Sequence, residues 1–123
     1  MSASNQRPEL VLVIGATRGT GTEIVSRLRR DGYAVRALAR TPSSARRTLG
    51  EAVEIIEGDV TKPATLSPAV AGASHVIFTA GVTKRPASER SIIAVEYDGV
   101  RNTLAAAKAV GFEGRFLYMT TIG

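Results

Sequence analysis

The chain has 123 residues, 44% of them hydrophobic and 22% charged, which is the composition of an ordinary globular domain. It contains no cysteine, so disulfides and thiolate metal sites are excluded, and no apolar run approaches the roughly 20 residues that a membrane-spanning helix needs. The net charge of +5 favours polyanions in general. Three Phe and three Tyr are too few to predict base stacking, so we do not expect nucleic acid as a partner. Without a long apolar run, we do not expect a membrane as a partner either.

The chain begins with a polar segment, and its first structured element is predicted at residues 10–14. Residues 1–9 contain no apolar stretch, so we expect a flexible tail and no signal peptide, and the absence of cysteine fits a cytoplasmic protein. The run "LVLVI" that follows is apolar and rich in β-branched side chains, which predicts a buried strand. Residues 10–123 are then expected to form one domain.

Helical and strand patterns alternate through the rest of the chain. The segment from Gly19 to Gly32 has helical periodicity, with its apolar residues on one face. Apolar runs predict four further strands, at residues 33–39, 53–57, 74–79 and 115–120. One short helix is expected between the second and third strands, and another that begins near Pro68, since proline is tolerated best in a first turn.

The segment before the fifth strand has the strongest helical pattern in the chain. Its apolar residues recur at offsets of four and three, namely Ile93, Tyr97, Val100, Leu104 and Ala107. We expect this stripe to pack on the core and the helix to end at Gly111.

Five strands separated by helices predict an α/β fold, in the form of a doubly wound parallel sheet with right-handed crossovers. The arrangement is that of a Rossmann domain, for which we expect the strand order 3-2-1-4-5. Because no helix follows the fifth strand to cover it, the domain is expected to be incomplete on its C-terminal side. The apolar sheet surface exposed there would allow a homodimer.

The stretch "VLVIGATRGTGTEI" places three glycines between the first strand and the first helix. Gly15 would permit the tight turn, Gly19 a close backbone approach to a pyrophosphate, and Gly21 the close packing of helix and strand. The N-terminus of the helix adds free N–H groups and a positive dipole end. The loop is therefore predicted to bind a dinucleotide, and the alternative is a tight turn without a ligand.

The spacing Gly-x-x-x-Gly-x-Gly resembles that of the short-chain dehydrogenase/reductase superfamily. Further segments extend the similarity over residues 10–123: "GATRGTG", "LRRDGYAVRALAR", "EGDV", "VIFTAGV", "VEYDGVRNTLAAAKAVG" and "FLYMTTIG". Together they are similar to the atypical branch, the NmrA-like and flavin/biliverdin-reductase-like proteins. The resemblance implies an NAD(P)-dependent oxidoreductase, with Thr17 and Thr20 among the residues of the cofactor loop. Arg18 departs from that branch, which usually has glycine there, and resembles NADP-dependent reductases of the main branch.

The end of the predicted second strand carries no acid, which favours NADP(H) over NAD(H). Folds that prefer NAD usually place a carboxylate there to bind the ribose 2′-hydroxyl, but Ala39 occupies that position. Arg18, Arg40 and Thr41 would instead hold a 2′-phosphate, because guanidinium groups suit phosphate geometry. The resemblance assigns both arginines to this selection, and the alternative for each is a solvated surface arginine.

Five more residues are assigned to the cofactor by the resemblance alone. Asp59 and Val60, after the third strand, look like the pair that receives the adenine ring. Thr79, Ala80 and Gly81, after the fourth strand, look like the segment under the nicotinamide-side ribose. The alternative for Asp59 is a helix or turn cap.

By the same resemblance, the substrate-orienting hydroxyl belongs to Thr121, in "MTTIG" after the fifth strand. The superfamily's Tyr-x-x-x-Lys pair would fall beyond the end of this chain. Tyr97 and Arg101 imitate its spacing, but they precede the fifth strand, and Tyr97 is expected in the core. His75 is the sole histidine and has no evident second ligand or triad partner, so no metal site is predicted.

These features predict the NADP(H)-binding domain of an atypical short-chain oxidoreductase. In the full-length protein, hydride would pass between the cofactor and a small carbonyl or conjugated substrate, whereas this chain is expected to bind the cofactor without efficient turnover. The main alternative is a non-catalytic, NADP(H)-sensing regulatory module. A basic nucleic-acid-binding domain is the third and least favoured hypothesis.

Overall fold

The computed structural model describes residues 9–80, Arg90 and residues 93–119, except for the side chains of Ala94 and Glu96. Its strands are β1 (Leu10–Ile14), β2 (Ala34–Ala39), β3 (Glu54–Glu57), β4 (His75–Phe78) and β5 (Arg115–Tyr118). Neighbouring strands are all parallel, and they follow one another in the order β3-β2-β1-β4-β5. The predicted α/β fold and the predicted strand order are confirmed.

Strand β1 lies at the centre of the sheet and is buried on both faces. Val11, Leu12, Val13 and Ile14 are each at most 2% exposed. Their side chains alternate, so that Val11 and Val13 join the core on one face while Leu12 and Ile14 join the core on the other. A parallel strand covered on both faces requires a continuous apolar run, which is the pattern that predicted this strand.

Within the described ranges, helices cover both faces of the sheet: α1 (Gly19–Arg30), α2 (Pro42–Leu49), α3 (Leu66–Val70) and α4 (Asp98–Ala109). Val25 of α1 and Leu49 of α2 pack on the face that holds Val11 and Val13. Leu66 of α3 and Ala107 of α4 pack on the opposite face. The sheet is therefore doubly wound. In the part of the chain that the structure describes, none of the helices combines the length and the apolar character of a transmembrane span.

A 3-10 turn (Pro63–Thr65) leads directly into α3, so the helix begins two residues before Pro68. Pro68 is the third residue of this helix. The first four N–H groups of an α-helix have no acceptor within the helix, so the missing N–H of proline breaks no hydrogen bond at this position. The predicted short helix is confirmed, with this shift in its start.

The face of α4 that packs on the sheet matches the predicted apolar stripe only in part: Val100 and Ala107 pack on the core, and the other members of the stripe are exposed. The buried residues of α4 are small, namely Gly99, Thr103, Ala106 and Ala107. Tyr97, which ends a preceding π-helical turn (Ile93–Tyr97), is 61% exposed, and Leu104 is 47% exposed. The expectation that Tyr97 packs in the core is wrong. Position 99 in particular must stay small, since a Cβ added to Gly99 would stand 3.0 Å from Cγ2 of Val60.

Candidate cofactor site

The residues predicted to bind the cofactor follow the strands at one edge of the sheet. Because the strands are parallel, their carboxyl ends meet there. The register sets Ile14 beside the next-to-last residue of β2 and the last residue of β4. Two backbone hydrogen bonds continue the ladder past the strand ends, from Gly58 N–H to Ala39 O (3.0 Å) and from Thr79 N–H to Ile14 O (2.8 Å). The structure thus brings the predicted positions after β1 to β4 together.

The loop between β1 and α1 is a tightly packed turn. Gly15 has a φ of +91°, a conformation that side-chain-bearing residues rarely adopt, and a Cβ added to it would stand 2.7 Å from the backbone nitrogen of Ala80. A Cβ added to Gly21 would collide with the backbone oxygen of Gly15. Thr17 is half-buried within the same turn. The first turn of α1 is therefore held against the end of β1, and the end of β1 against the segment after β4.

The N-terminus of α1 is not capped by a side chain. Arg18 precedes the helix in extended conformation, no side chain caps it, and the Arg18 oxygen accepts from the N–H groups of Gly21 (2.9 Å) and Thr22 (3.4 Å). The N–H groups of Gly19 and Thr20 have no acceptor within the helix. Gly19 has a φ of +43°, and a Cβ added to it would have no atom within 4 Å, so no other part of the chain packs on the side-chain position of Gly19. Free amides at a positive helix end fit a pyrophosphate.

Exposed basic and hydroxyl side chains flank this turn where β2 ends. Arg40 and Thr41 are exposed, as is Arg18 in the loop after the neighbouring strand. Thr41 begins α2 through its backbone oxygen, which accepts from Ala45 N–H (3.1 Å), while its hydroxyl makes no capping bond. Ala39, at the position where an NAD-preferring fold would hold an acid, is 8% exposed. This corner of the site therefore presents cations and no carboxylate at position 39.

Asp59 is held in a turn by its own neighbours. Its Oδ1 accepts hydrogen bonds from the Thr61 backbone N–H (2.8 Å) and from the Thr61 hydroxyl (2.7 Å). Burial raises the pKa of the Asp59 carboxyl, but these bonds and the charges of Arg40 and Lys62 outweigh burial and hold that pKa below its ordinary value. Asp59 thus has the turn-capping role that the sequence left as the alternative, and its contact with adenine stays a prediction.

Val60 connects this edge of the sheet to α4. Its side chain is buried, and its backbone oxygen accepts a 2.9 Å hydrogen bond from Nδ2 of Asn102. Beside this link lies a cavity of about 370 Å³, whose lining residues are Thr61, Pro63, Asp98, Arg101 and Asn102. Sequence reasoning missed Asn102, for which the available signal was one amide within an otherwise alanine-rich helix.

The remaining predicted positions are placed only in part. Thr79 and Ala80 follow β4 and are half-buried next to Gly15. Gly81 and Thr121 lie outside the described residues. The substrate-orienting role of Thr121 therefore stays a prediction.

Comparison with known proteins places the chain in a family. The sequence model of a family described as NAD(P)H-binding matches residues 15–123. A Photosystem II assembly factor Ycf39 from Cyanophora paradoxa is 33% identical over 112 residues, which cover 91% of this chain and 34% of that protein. A (4-alkanoyl-5-oxo-2,5-dihydrofuran-3-yl)methyl phosphate reductase from Streptomyces griseus is 36% identical over 94 residues, which cover 76% of this chain and 32% of the reductase.

A solved structure shares both the fold and part of the sequence. A short-chain dehydrogenase/reductase superfamily protein from Agrobacterium tumefaciens, with bound NAD, superposes with a TM-score of 0.73 at 30% identity. The superposition covers 89% of this chain and 32% of that one. This chain spans about a third of the length of each of these relatives.

Proposed function

This chain belongs to the NAD(P)H-binding family, and we propose that it forms the NADP(H)-binding part of an atypical, NmrA-like short-chain oxidoreductase. The observation that carries the proposal is the packed turn from Gly15 to Gly21, which holds the start of α1 at the carboxyl edge of the sheet with no side chain capping its first N–H groups. The similarity to a reductase and to an NAD-bound superfamily member supports the coarser part of this proposal, an NAD(P)-binding oxidoreductase domain.

Bound NADP(H) would supply the hydride chemistry that connects the cofactor with a small carbonyl or conjugated substrate. This chain's own groups would hold the cofactor, with the amides of Gly19 and Thr20 at the pyrophosphate and Arg18 and Arg40 at the 2′-phosphate. Thr121 would orient the substrate through its hydroxyl. Because the chain spans about a third of its relatives, the substrate and the turnover belong to the full-length protein.

The preference for NADP(H) over NAD(H) rests on the corner formed by Ala39 and Arg40. A buried methyl group replaces the acid that would bind a ribose 2′-hydroxyl, so no carboxylate at this position repels a phosphate. The guanidinium of Arg40 lies close enough to Asp59 to lower the pKa of its carboxyl. A bound 2′-phosphate would compete with Asp59 for this cation, and its greater negative charge favours the phosphate.

Calorimetric titration of NADPH and NADH into the purified chain and two variants tests this proposal. Arg40→Asp should weaken NADPH binding by about tenfold or more, since a charge-assisted hydrogen bond contributes about 1.5–3 kcal/mol, and should leave NADH binding unchanged or improved. The matched control is Arg47→Asp, an equal charge change on an exposed arginine of α2. An unchanged NADPH preference in Arg40→Asp would show that the assignment is wrong.

A second candidate function is a non-catalytic, NADP(H)-sensing module that regulates a partner. The similarity to a protein named as a Photosystem II assembly factor favours it, since that name denotes assistance to other proteins. NADPH oxidation by the full-length protein with a panel of small carbonyl compounds separates the two candidates. Saturable oxidation supports the enzyme, and tight NADPH binding without oxidation supports the sensor.

A cytoplasmic location and a homodimer also belong to this proposal. Leu117 and Met119, on and just after β5, are 49% and 42% exposed, which supports an apolar contact surface at that edge of the sheet. Light scattering of the purified chain tests the dimer, and a monomer at all concentrations would contradict it.

A further inference from the structure

The positive charge of this protein is concentrated in one stretch of the chain. Half of its 16 basic residues lie between residues 18 and 47, all of them arginine, against two acids in the same range, Glu23 and Asp31. This stretch alone therefore exceeds the net charge of +5 carried by the whole chain. The cofactor site accounts for only two of these arginines, Arg18 and Arg40.

Most of the other arginines stand at the opposite end of the helix layer. Helices α1 and α2 both begin at the carboxyl edge of the sheet, pack on the same core and end at the amino edge. Their last turns carry arginines at positions 27, 29, 30, 46 and 47. We call Arg27, Arg29, Arg30 and Arg47, which are all exposed, the arginine surface. Arg46 is excluded because its guanidinium binds the backbone oxygens of Gly50 and Val53 (both 2.8 Å).

Two of the four arginines of the arginine surface form no ion pair or hydrogen bond through their side chains within the described residues. Arg27 pairs with Asp31 at 3.6 Å, and Arg47 donates to the Ser44 hydroxyl at 3.3 Å. Across the described part of the chain, the side chains of Arg29 and Arg30 meet no carboxylate or other hydrogen-bond partner. A cation in the last turn stabilises a helix by interacting with the negative end of its dipole, and a single arginine in each helix is enough for this interaction. The excess guanidinium groups are available to an anion outside this chain.

We propose that the arginine surface docks an acidic segment of a partner protein. Guanidinium forks match carboxylates in geometry as well as in charge. Tyr33 follows α1 after Asp31 and Gly32, its N–H donates back to the Leu28 oxygen of the helix, and it is 38% exposed. It adds the residue type that accompanies arginine at the centre of protein–protein interfaces. The exposed faces of α1 and α2 carry no large apolar side chain for a membrane, and Tyr33 alone beside them could stack on only one nucleic-acid base.

The inference is independent of the proposed function, because the arginine surface lies at the edge of the sheet opposite the cofactor site. Saturating NADPH in every titration removes the contribution of Arg18 and Arg40, so a failure of either proposal is distinguishable. The probes are a short poly-L-glutamate, a single-stranded DNA of equal charge, and vesicles of phosphatidylglycerol and phosphatidylcholine in equal amounts. Binding of the whole chain to each is measured at low salt and again at physiological salt.

The key variant is Arg30→Glu/Arg47→Glu, and its matched control is Lys108→Glu/Arg115→Glu, which makes the same charge change at exposed positions elsewhere. Poly-L-glutamate should bind the wild type, and the first pair should weaken it by about tenfold or more while the control changes it by about twofold or less. Arg30→Gln/Arg47→Gln gives an intermediate loss if charge reversal disturbs the helices.

Three results would overturn the inference. The first is absence of poly-L-glutamate binding to the wild type at low salt. The second is an equal loss in both charge-reversed pairs, which would indicate net charge rather than a surface. The third is tighter binding of DNA or vesicles than of poly-L-glutamate, which would assign the surface to nucleic acid or to a membrane.

Discussion

The backbone oxygen of Gly15 lies where a side chain at position 21 would begin. No real Cβ could stand that close to a carbonyl oxygen, so residue 21 must be glycine for α1 to start where it does. This contact fixes the first turn of α1 over the end of β1. It also sets the direction in which the free amides of Gly19 and Thr20 face, which is the property that a phosphate site needs.

Gly21→Ala should lower the free energy of unfolding by about 3 kcal/mol or more, because the added methyl meets backbone atoms that cannot rotate away. The matched control is Gly111→Ala, where φ is +73° but the added Cβ would have no atom within 4 Å. Its cost should be the conformational one alone, about 1–2 kcal/mol. Urea denaturation measures both values, and equal losses in the two variants would contradict the packing argument.

Asp59 should make stability depend on pH in a defined direction. Its folded pKa lies below the unfolded value of 3.8, so the ionised carboxyl stabilises the fold above about pH 4 and the stabilisation is lost as pH falls through the folded value. The loss of stability on Asp59→Asn should therefore be largest near neutral pH and shrink in acid. Thr61→Val, which removes one hydrogen bond to the carboxylate, should reduce the same pH-dependent part. Urea denaturation across this range is the measurement, and a loss that does not vary with pH would contradict the prediction.

The strands of the sheet could be predicted because each of them is a local run of apolar residues in the sequence. β1 matches the predicted range, since a continuous apolar run of that length suits a parallel strand covered on both faces. The orientation of α4 could not be predicted in the same way. Hydropathy places Tyr97 on the apolar face, but the helix turns Gly99 toward Val60, where an added Cβ would stand 3.0 Å away, and that contact exists only after folding.

The glycine loop of the candidate site could also be predicted from the sequence, because its glycines lie within seven consecutive residues, Gly15 to Gly21. The contact between Asn102 and Val60 was not, since 42 positions separate them in the chain. For Asp59, the sequence was compatible with two roles, a turn cap and a cofactor contact. The structure places the cap, through Thr61, and leaves the cofactor contact to experiment.

Arg36 should prove important for stability although it lies outside the candidate site. Its Nη1 donates to the backbone oxygens of Ala69 and Ala71, both at 2.7 Å, where α3 ends, and its Nε lies 3.0 Å from Oε1 of Glu54. Arg36→Met removes the donor from both carbonyls, of which the Ala69 oxygen is part-buried and the Ala71 oxygen is exposed to water, and should lower the free energy of unfolding by about 1–3 kcal/mol. Arg29→Met, an exposed arginine on α1, should change it by about 0.5 kcal/mol or less in the same urea titration. Similar effects at the two positions would contradict a capping role for Arg36.

Asn102 links the loop after β3 to α4, so its removal should affect cofactor binding more than stability. Asn102→Ala leaves the Val60 oxygen unpaired and frees the loop that carries Asp59, and should lower the free energy of unfolding by about 1 kcal/mol. NADPH binding should weaken by about fivefold or more, because the loop must then be ordered when the cofactor binds. The control is Lys108→Ala, an exposed position on the same helix, which should change neither quantity. Unaltered NADPH affinity in Asn102→Ala, measured calorimetrically, would show that this loop does not contribute to the cofactor site.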